Sequence, residues 1–143
     1  MDTTVLIVDD EVPFVETLTK RLVKRGLRIL SAHSGPEALD LLTGNNGIDV
    51  VILDVKMPDM DGIATLREIK AADPAVEVLM LTGHASMESA LDGMRLGAFD
   101  YFMKPCSIEQ IFAKICEAKE KKRKSEEGIS QSEAQKRGTK GDL

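Results

Sequence analysis

Five short runs of apolar residues alternate along the chain with longer segments in which apolar residues recur every three or four positions. The runs lie at Thr4–Val8, Leu27–Ser31, Val50–Leu53, Val76–Leu81 and Ala98–Met103. Several of them are continuously apolar rather than alternating, which is typical of strands covered on both faces of a sheet. The run at residues 27–31 is the least apolar, and we therefore place that strand at an edge of the sheet.

The segments between the runs carry helical patterns with start and stop signals. Pro13 suits the first turn of the first helix, and Ser86 opens the fourth. Ser107 and Gln110 form a capping box for the fifth helix. Stop signals follow the first four helices at Gly26, Gly44, Pro74 and Gly97. Five β-α units without a hairpin signal predict an α/β fold, in which helices cover both faces of an open parallel sheet.

Composition and charge limit the class of protein and its cellular location. The chain has 143 residues, which suits one domain and a tail, and its formal charge of −5 argues against broad nucleic-acid binding. The N-terminus lacks the basic start of a signal peptide, and no apolar stretch approaches the ~20 residues that span a bilayer. We therefore expect a cytoplasmic protein without membrane insertion.

The last part of the chain differs from the rest. Residues 119–143 contain eight Lys or Arg and five Asp or Glu, and they include almost no large aliphatic residue. Such a segment buries too little apolar surface to fold alone. We therefore predict a folded domain over residues 1–122 and a charged, disordered tail over residues 123–143.

Polar side chains follow four of the five predicted strands. Asp9 and Asp10 follow the first strand, Asp54 the third, Thr82 the fourth and Lys104 the fifth. In an open parallel sheet these strand ends form the ligand-binding edge. Three carboxylates that converge there need more counter-charge than one lysine supplies, and oxygen ligands of this kind suit Mg²⁺.

A carboxylate beside Mg²⁺ and a lysine can attack phosphorus and form an aspartyl-phosphate. The sequence has no GxGxxG after the first strand and no GxxxxGK[ST], so nucleotide-binding motifs are absent. A phosphatase of the haloacid-dehalogenase type also uses a strand-end aspartate. It would carry a second acid two residues after Asp54, where this chain has Lys56.

Five blocks of sequence, in this order and spacing, resemble the receiver domain of bacterial two-component response regulators over about residues 3–120. The blocks are Asp9–Asp10, LDVKMPDMDG at 53–62, Leu81–Gly83, Gly97–Ala98 and DYFMKP at 100–105. The resemblance implies a flavodoxin-like, doubly wound sheet of five parallel strands in the order 2-1-3-4-5, with five helices.

The resemblance also implies roles for single residues. Asp54 would be the phosphoacceptor. Asp10, Asp54 and the backbone carbonyl of Lys56 would bind Mg²⁺ directly, and Asp9 would bind it mostly through water. Lys104 would contact the phosphoryl group, and its bond to Pro105 would be cis.

Two further residues would convert phosphorylation into a change of surface. Thr82 would turn toward the phosphoryl group, and Tyr101 would follow from an exposed to a buried rotamer. The face formed by the fourth helix, fifth strand and fifth helix would then change. Its candidate members are Met87, Leu91, Met94, Tyr101 and Met103. Lys56 and His84 would flank the approach of water and set the lifetime of the phosphoryl group.

We interpret the chain as a phosphorylation-dependent signalling switch that accepts a phosphoryl group from a histidine kinase or a phosphotransfer protein. It would act through a downstream protein target and would not be a metabolic enzyme. Two alternatives stay open: a Mg²⁺-dependent phosphatase of small phosphoesters, and a receiver-like scaffold that is never phosphorylated. Phosphorylation-dependent homodimerisation also stays open, as does the choice between a stand-alone receiver and a fragment.

Overall fold

The computed structural model describes residues 2–44, 47–57, 60–83 and 87–141. Its main sheet has five parallel strands in the order 2-1-3-4-5. The strands are β1 (Thr4–Val8), β2 (Arg28–Ala32), β3 (Val50–Leu53), β4 (Glu77–Thr82) and β5 (Asp100–Met103). The predicted fold class and strand order are confirmed, and β2 lies at an edge as its sequence indicated.

Five helices connect or follow the strands. They are α1 (Val12–Val23), α2 (Gly35–Thr43), α3 (Gly62–Ala72), α4 (Met87–Arg95) and α5 (Ile108–Gly141). Side-chain caps begin three of them: Ser34 accepts the Glu37 N–H, Asp61 the Ile63 N–H, and Ser107 the Gln110 N–H. The predicted start of α4 at Ser86 lies outside the described residues.

Two hydrophobic cores lie on opposite faces of the sheet. In β1, Leu6 and Val8 pack into the core under α2 and α3, whereas Val5 and Ile7 pack into the core under α1 and α5. All four side chains are fully buried. This double cover explains why the sequence of β1 is continuously apolar.

A short antiparallel pair, Lys56–Met57 with Met60–Asp61, follows β3 and was not predicted. Two residues a side are too few to show a strand periodicity in the sequence. The pair leads into Gly62, whose N–H donates to the Val55 carbonyl. A side chain at position 62 would overlap the backbone of Val55, so glycine is required for this close approach.

The structure differs from the predicted end of regular structure at residue 122. Helix α5 continues without a break to Gly141, although residues 123–143 were expected to be disordered. Helix-forming residues and charge pairs one turn apart account for the continuation. Lys122 pairs with Glu126 at 3.1 Å, and Arg123 with Glu120 at 2.6 Å. Among the described helices, none is both long and apolar enough to cross a bilayer.

Helix α5 is held at the amino-terminal edge of the sheet by what we call the lysine clasp, formed by Asp49, Lys119 and Lys122. Asp49 lies directly before β3 and is buried. Its Oδ1 accepts from the Nζ atoms of Lys119 at 2.8 Å and Lys122 at 3.0 Å. Its Oδ2 accepts the backbone N–H of Thr4 at 2.9 Å. The clasp joins α5 to two interior strands of the sheet, β1 and β3.

Candidate functional site

Backbone hydrogen bonds bring the predicted residues together at the carboxyl edge of the sheet. The Asp54 N–H donates to Val8 of β1 at 3.0 Å, and the Lys104 N–H donates to Thr82 of β4 at 2.9 Å. The side chains of Asp9, Asp54 and Thr82 are at most 3% exposed. These four polar residues therefore share one edge because each follows or ends a parallel strand.

Three carboxylates meet at this edge. Asp9, Glu11 and Asp54 each place an oxygen within 4.8 Å of the other two. The sequence prediction differs here, since it assigned Asp10 and not Glu11 to the direct ligand set. Asp10 is exposed and lies outside this group among the described residues. The Glu11 N–H donates to Asp9 Oδ1 at 2.9 Å, which holds these two residues close together.

The Lys104 ammonium lies against two of these carboxylates. Its Nζ is 2.7 Å from Asp9 Oδ2 and 3.2 Å from Glu11 Oε1. The side chain is only 11% exposed, and the Nζ atom lies 4.1 Å from the centroid of the Phe14 ring. One ammonium among three carboxylates leaves the site with an excess of negative charge when all are ionised.

Burial and neighbouring charges together shift the pKa values of Asp9 and Lys104. Burial raises the pKa of Asp9 above its ordinary value of 3.8; the Asp54 carboxylate adds to the rise, and the hydrogen bond from Lys104 opposes it. Burial alone would lower the pKa of Lys104, but the bond to Asp9 and the nearby carboxylates raise it overall. Lys104 therefore stays charged, and the site still favours a further cation.

The donor chemistry fits Mg²⁺. All three side chains offer hard oxygen ligands, and Mg²⁺ takes one or two carboxylates while it keeps several waters. The backbone of Lys56 begins the short antiparallel pair directly after Val55, so its carbonyl is two residues from Asp54. The Lys56 side chain and all of His84 lie outside the part of the chain that the structure describes.

Tyr101 occupies the strand next to Thr82. It lies beside Met80 in the β4–β5 ladder and packs against the core under α2 and α3. Its hydroxyl oxygen is buried and has no hydrogen-bond partner within the described residues. Burial, followed by the charge of Asp54, raises the pKa of this phenol. The structure thus holds the hydroxyl buried, and a change of rotamer on phosphorylation stays a prediction.

The predicted output face carries exposed apolar side chains. Leu91 and Met94 on α4 and Met103 at the end of β5 are each about half exposed. The side chain of Met87 lies outside the described residues. Exposed apolar side chains of this kind suit contact with another protein.

Comparisons with known proteins agree with this geometry. The family model described as response regulator receiver domain matches residues 5–116. The transcriptional regulatory protein ZraR of Escherichia coli (strain K12) is 39% identical over 111 residues, which cover 78% of this chain and 25% of that protein. The DNA-binding transcriptional regulator NtrC of Klebsiella pneumoniae is 38% identical over 109 residues, which cover 76% of this chain and 23% of that protein.

A solved structure supports the same comparison at the level of the fold. The receiver domain protein from Clostridium thermocellum superposes with a TM-score of 0.80 at 38% identity, covering 85% of this chain and 97% of that one. This chain spans about a quarter of the length of ZraR and NtrC. The similarity to those two proteins therefore covers only part of their length.

Proposed function

This chain belongs to the response regulator receiver domain family, and from that membership we propose that it is a signalling switch carrying a phosphoryl group on Asp54. One observation supports this assignment above all. A buried aspartate at the end of β3 lies with two other carboxylates, beside a charged lysine. That arrangement suits phosphoryl transfer, which depends on positioning and charge neutralisation more than on acid–base groups.

The proposed transfer moves one phosphoryl group between two proteins. A carboxylate oxygen of Asp54 forms a bond to phosphorus while the bond from phosphorus to a donor histidine nitrogen breaks. The nitrogen keeps the electron pair and the imidazole leaves. The donor would be a histidine kinase or a phosphotransfer protein, because a phosphohistidine supplies such a leaving group.

The residues around Asp54 would stabilise the transferred group. Lys104 holds a positive charge next to the site, and the hydroxyl of Thr82 would donate to a phosphoryl oxygen. Asp9, Glu11 and Asp54 offer carboxylate oxygens, one or two of which would hold Mg²⁺, and the ion would supply positive charge for the phosphoryl oxygens. Asp10 and the carbonyl of Lys56 are further ligands that the family resemblance predicts.

Phosphorylation would then change the surface formed by α4, β5 and α5. The added charge draws Thr82 and Lys104 toward one group, which biases a two-state element nearby. Tyr101 lies on β5, within that surface and next to the strand that Thr82 ends, and would report the change. We propose that the output is contact with a downstream protein, and that paired copies of this chain are one form such contact takes.

Nucleic acid is not the partner that we propose for this segment. Residues 1–118 carry 19 acidic and 11 basic side chains, so their formal charge repels a phosphate backbone. ZraR and NtrC are named as transcriptional regulators, and NtrC as DNA-binding. Three quarters of each of those proteins lies outside the matched segment.

Acetyl phosphate and intact mass measurement test the proposal. The wild-type chain is expected to gain one phosphoryl adduct when Mg²⁺ is present and far less in EDTA. The same sample should bind Mg²⁺ in a calorimetric titration. A folded protein that binds Mg²⁺ and gains no adduct would support the unphosphorylated scaffold instead.

The phosphatase alternative makes a different prediction. A phosphoester hydrolase needs a general acid near the nucleophile, and the residue two after Asp54 is Lys56. We therefore propose that the chain promotes only its own phosphorylation and dephosphorylation. Repeated turnover of para-nitrophenyl phosphate, lost on Asp54→Asn, would favour the phosphatase.

Lys56 and His84 are predicted to set the lifetime of the phosphoryl group. Each lies two residues after a proposed site residue, so its side chain would block or orient the attacking water. Lys56→Ala and His84→Ala are each expected to change the half-life of the adduct severalfold, measured by mass after acetyl phosphate is removed. Lys20→Ala, on the exposed side of α1, serves as a control. Unchanged half-lives in both variants would refute this role.

A further inference from the structure

The first turn of α1 supplies two of the groups around the Lys104 ammonium. Glu11 contributes a carboxylate oxygen at 3.2 Å, and Phe14 contributes a ring whose centroid lies 4.1 Å from Nζ. Asp9, just before the helix, completes the set at 2.7 Å. The ammonium is therefore held between a carboxylate pair and the face of an aromatic ring.

The local geometry of α1 favours this arrangement. Glu11 occupies the N-cap position, yet its side chain makes no capping hydrogen bond to the helix. It bonds to Lys104 instead. Phe14, in the first turn of α1, also meets Lys104. The Glu11 side chain at the start of α1 therefore contacts Lys104 and does not cap the helix.

We propose that Phe14 is a positioning residue for phosphoryl transfer, and that it acts by holding the Lys104 ammonium through a cation–π contact. This inference rests on the proposed function, since it assigns Phe14 a part in the reaction through Lys104. An ammonium over an aromatic face within about 6 Å is attracted by the ring quadrupole, and more strongly when it is shielded from water. Lys104, at 11% exposure, meets that condition.

The ring differs in kind from the other contacts of Lys104. Asp9 and Glu11 belong to the carboxylate group that suits Mg²⁺, so a bound cation would compete with the ammonium for their oxygens. Phe14 carries no charge and offers no ligand to a metal. Its attraction to the ammonium therefore persists when the carboxylates are engaged, and it restricts a side chain that has four rotatable bonds.

The first test measures the contact itself and does not depend on phosphorylation. In protein labelled on lysine, the ε-methylene protons of Lys104 are expected upfield of the other lysines, because they lie over a ring face. We expect Phe14→Leu to abolish that displacement and Phe14→Tyr to keep it. Addition of Mg²⁺ to wild type should leave the upfield position in place. An ordinary Lys104 shift in wild type, or its loss on adding Mg²⁺, would overturn the proposal.

The second test measures the rate of adduct formation with acetyl phosphate and Mg²⁺. Phe14→Leu keeps an apolar side chain and removes the ring, and it is expected to slow the reaction about threefold to tenfold, the range given by the strength of a partly buried cation–π contact. Phe14→Tyr retains the π face and should react at close to the wild-type rate.

Phe112→Leu is the matched control. Phe112 packs in the same core as Phe14, and its ring lies 5.9 Å from the guanidinium carbon of Arg25, away from Lys104. It should react as wild type does. If Phe112→Leu slows the reaction as much as Phe14→Leu, or if Phe14→Leu reacts at the wild-type rate, Phe14 has no positioning role.

The two tests also separate this inference from the function on which it rests. A wild-type protein that gains no adduct removes the proposed phosphoryl transfer and, with it, the positioning role, whatever the lysine spectrum shows. A wild-type protein that gains the adduct, with Phe14→Leu unaffected in rate, leaves the proposed function in place and overturns only the role of Phe14.

Discussion

Replacement of Asp54 by asparagine is expected to abolish the phosphoryl adduct formed with acetyl phosphate and Mg²⁺. Asparagine keeps the shape of the side chain, but its amide cannot serve as the nucleophile that forms the aspartyl-phosphate. The position is buried and lies with Asp9 and Glu11. Intact mass measurement should show one adduct in wild type and none in the variant.

Asp61→Asn is a matched control for this experiment. Asp61 lies seven residues further along the same loop, where it caps α3 by accepting the Ile63 N–H at 2.9 Å. Asparagine caps helices about as well as aspartate, so the fold of this variant should be kept. The control should gain the adduct. An adduct of equal yield in Asp54→Asn would place the phosphoryl group on a different residue.

The second large effect concerns stability and lies at the other end of the sheet. Asp49→Ala is expected to lower the free energy of unfolding by about 3 kcal/mol, because it leaves two lysines without their shared carboxylate. Lys119 and Lys122 are 19% and 12% exposed, so water compensates them only in part. Equilibrium urea denaturation measures the change.

Two further variants test the origin of that loss. Asp40→Ala removes an exposed carboxylate from α2 and should change the free energy of unfolding by no more than about 0.5 kcal/mol. Combination of Asp49→Ala with Lys122→Met should cost less than the sum of the two single changes, since their contact is lost only once. Strict additivity would contradict a clasp.

The contribution of Asp49 to stability should depend on pH with a definite sign. Burial alone would raise the pKa of Asp49, but hydrogen bonds from Lys119, Thr4 and Lys122 lower it below the ordinary value of 3.8. A carboxyl group whose pKa is lower in the folded state than in the unfolded state stabilises the folded state. Its contribution is complete at pH values above the pKa of the unfolded state. The difference between wild type and Asp49→Ala should therefore be constant near neutral pH and shrink as pH falls below 3.8.

The sequence predicted those parts of the molecule that depend on short-range pattern. Asp9, Asp54, Thr82 and Lys104 could be placed together because each follows or ends an apolar run, and parallel strands end at one edge. The position of β2 at the edge followed from its lower apolar content. Both predictions required only the positions of the strands in the sequence and their parallel direction.

The sequence did not predict which side chains come into contact in the folded protein. Nothing in the sequence indicates that Glu11 places an oxygen within 4.8 Å of Asp9 and Asp54. The contact of Phe14 with Lys104 joins residues ninety positions apart. The lysine clasp likewise joins Asp49 to residues seventy or more positions away. Local pattern carries no information about such pairs.

The position of the lysine clasp links two distant parts of the chain mechanically. Asp49 stands at one end of β3 and Asp54 at the other, separated by four strand residues, or roughly 15 Å of extended backbone. β3 therefore lies between Asp54, the proposed phosphoacceptor, and the point where the clasp holds α5. A force applied to α5 would therefore reach β3 through Asp49, at the opposite end of that strand from Asp54.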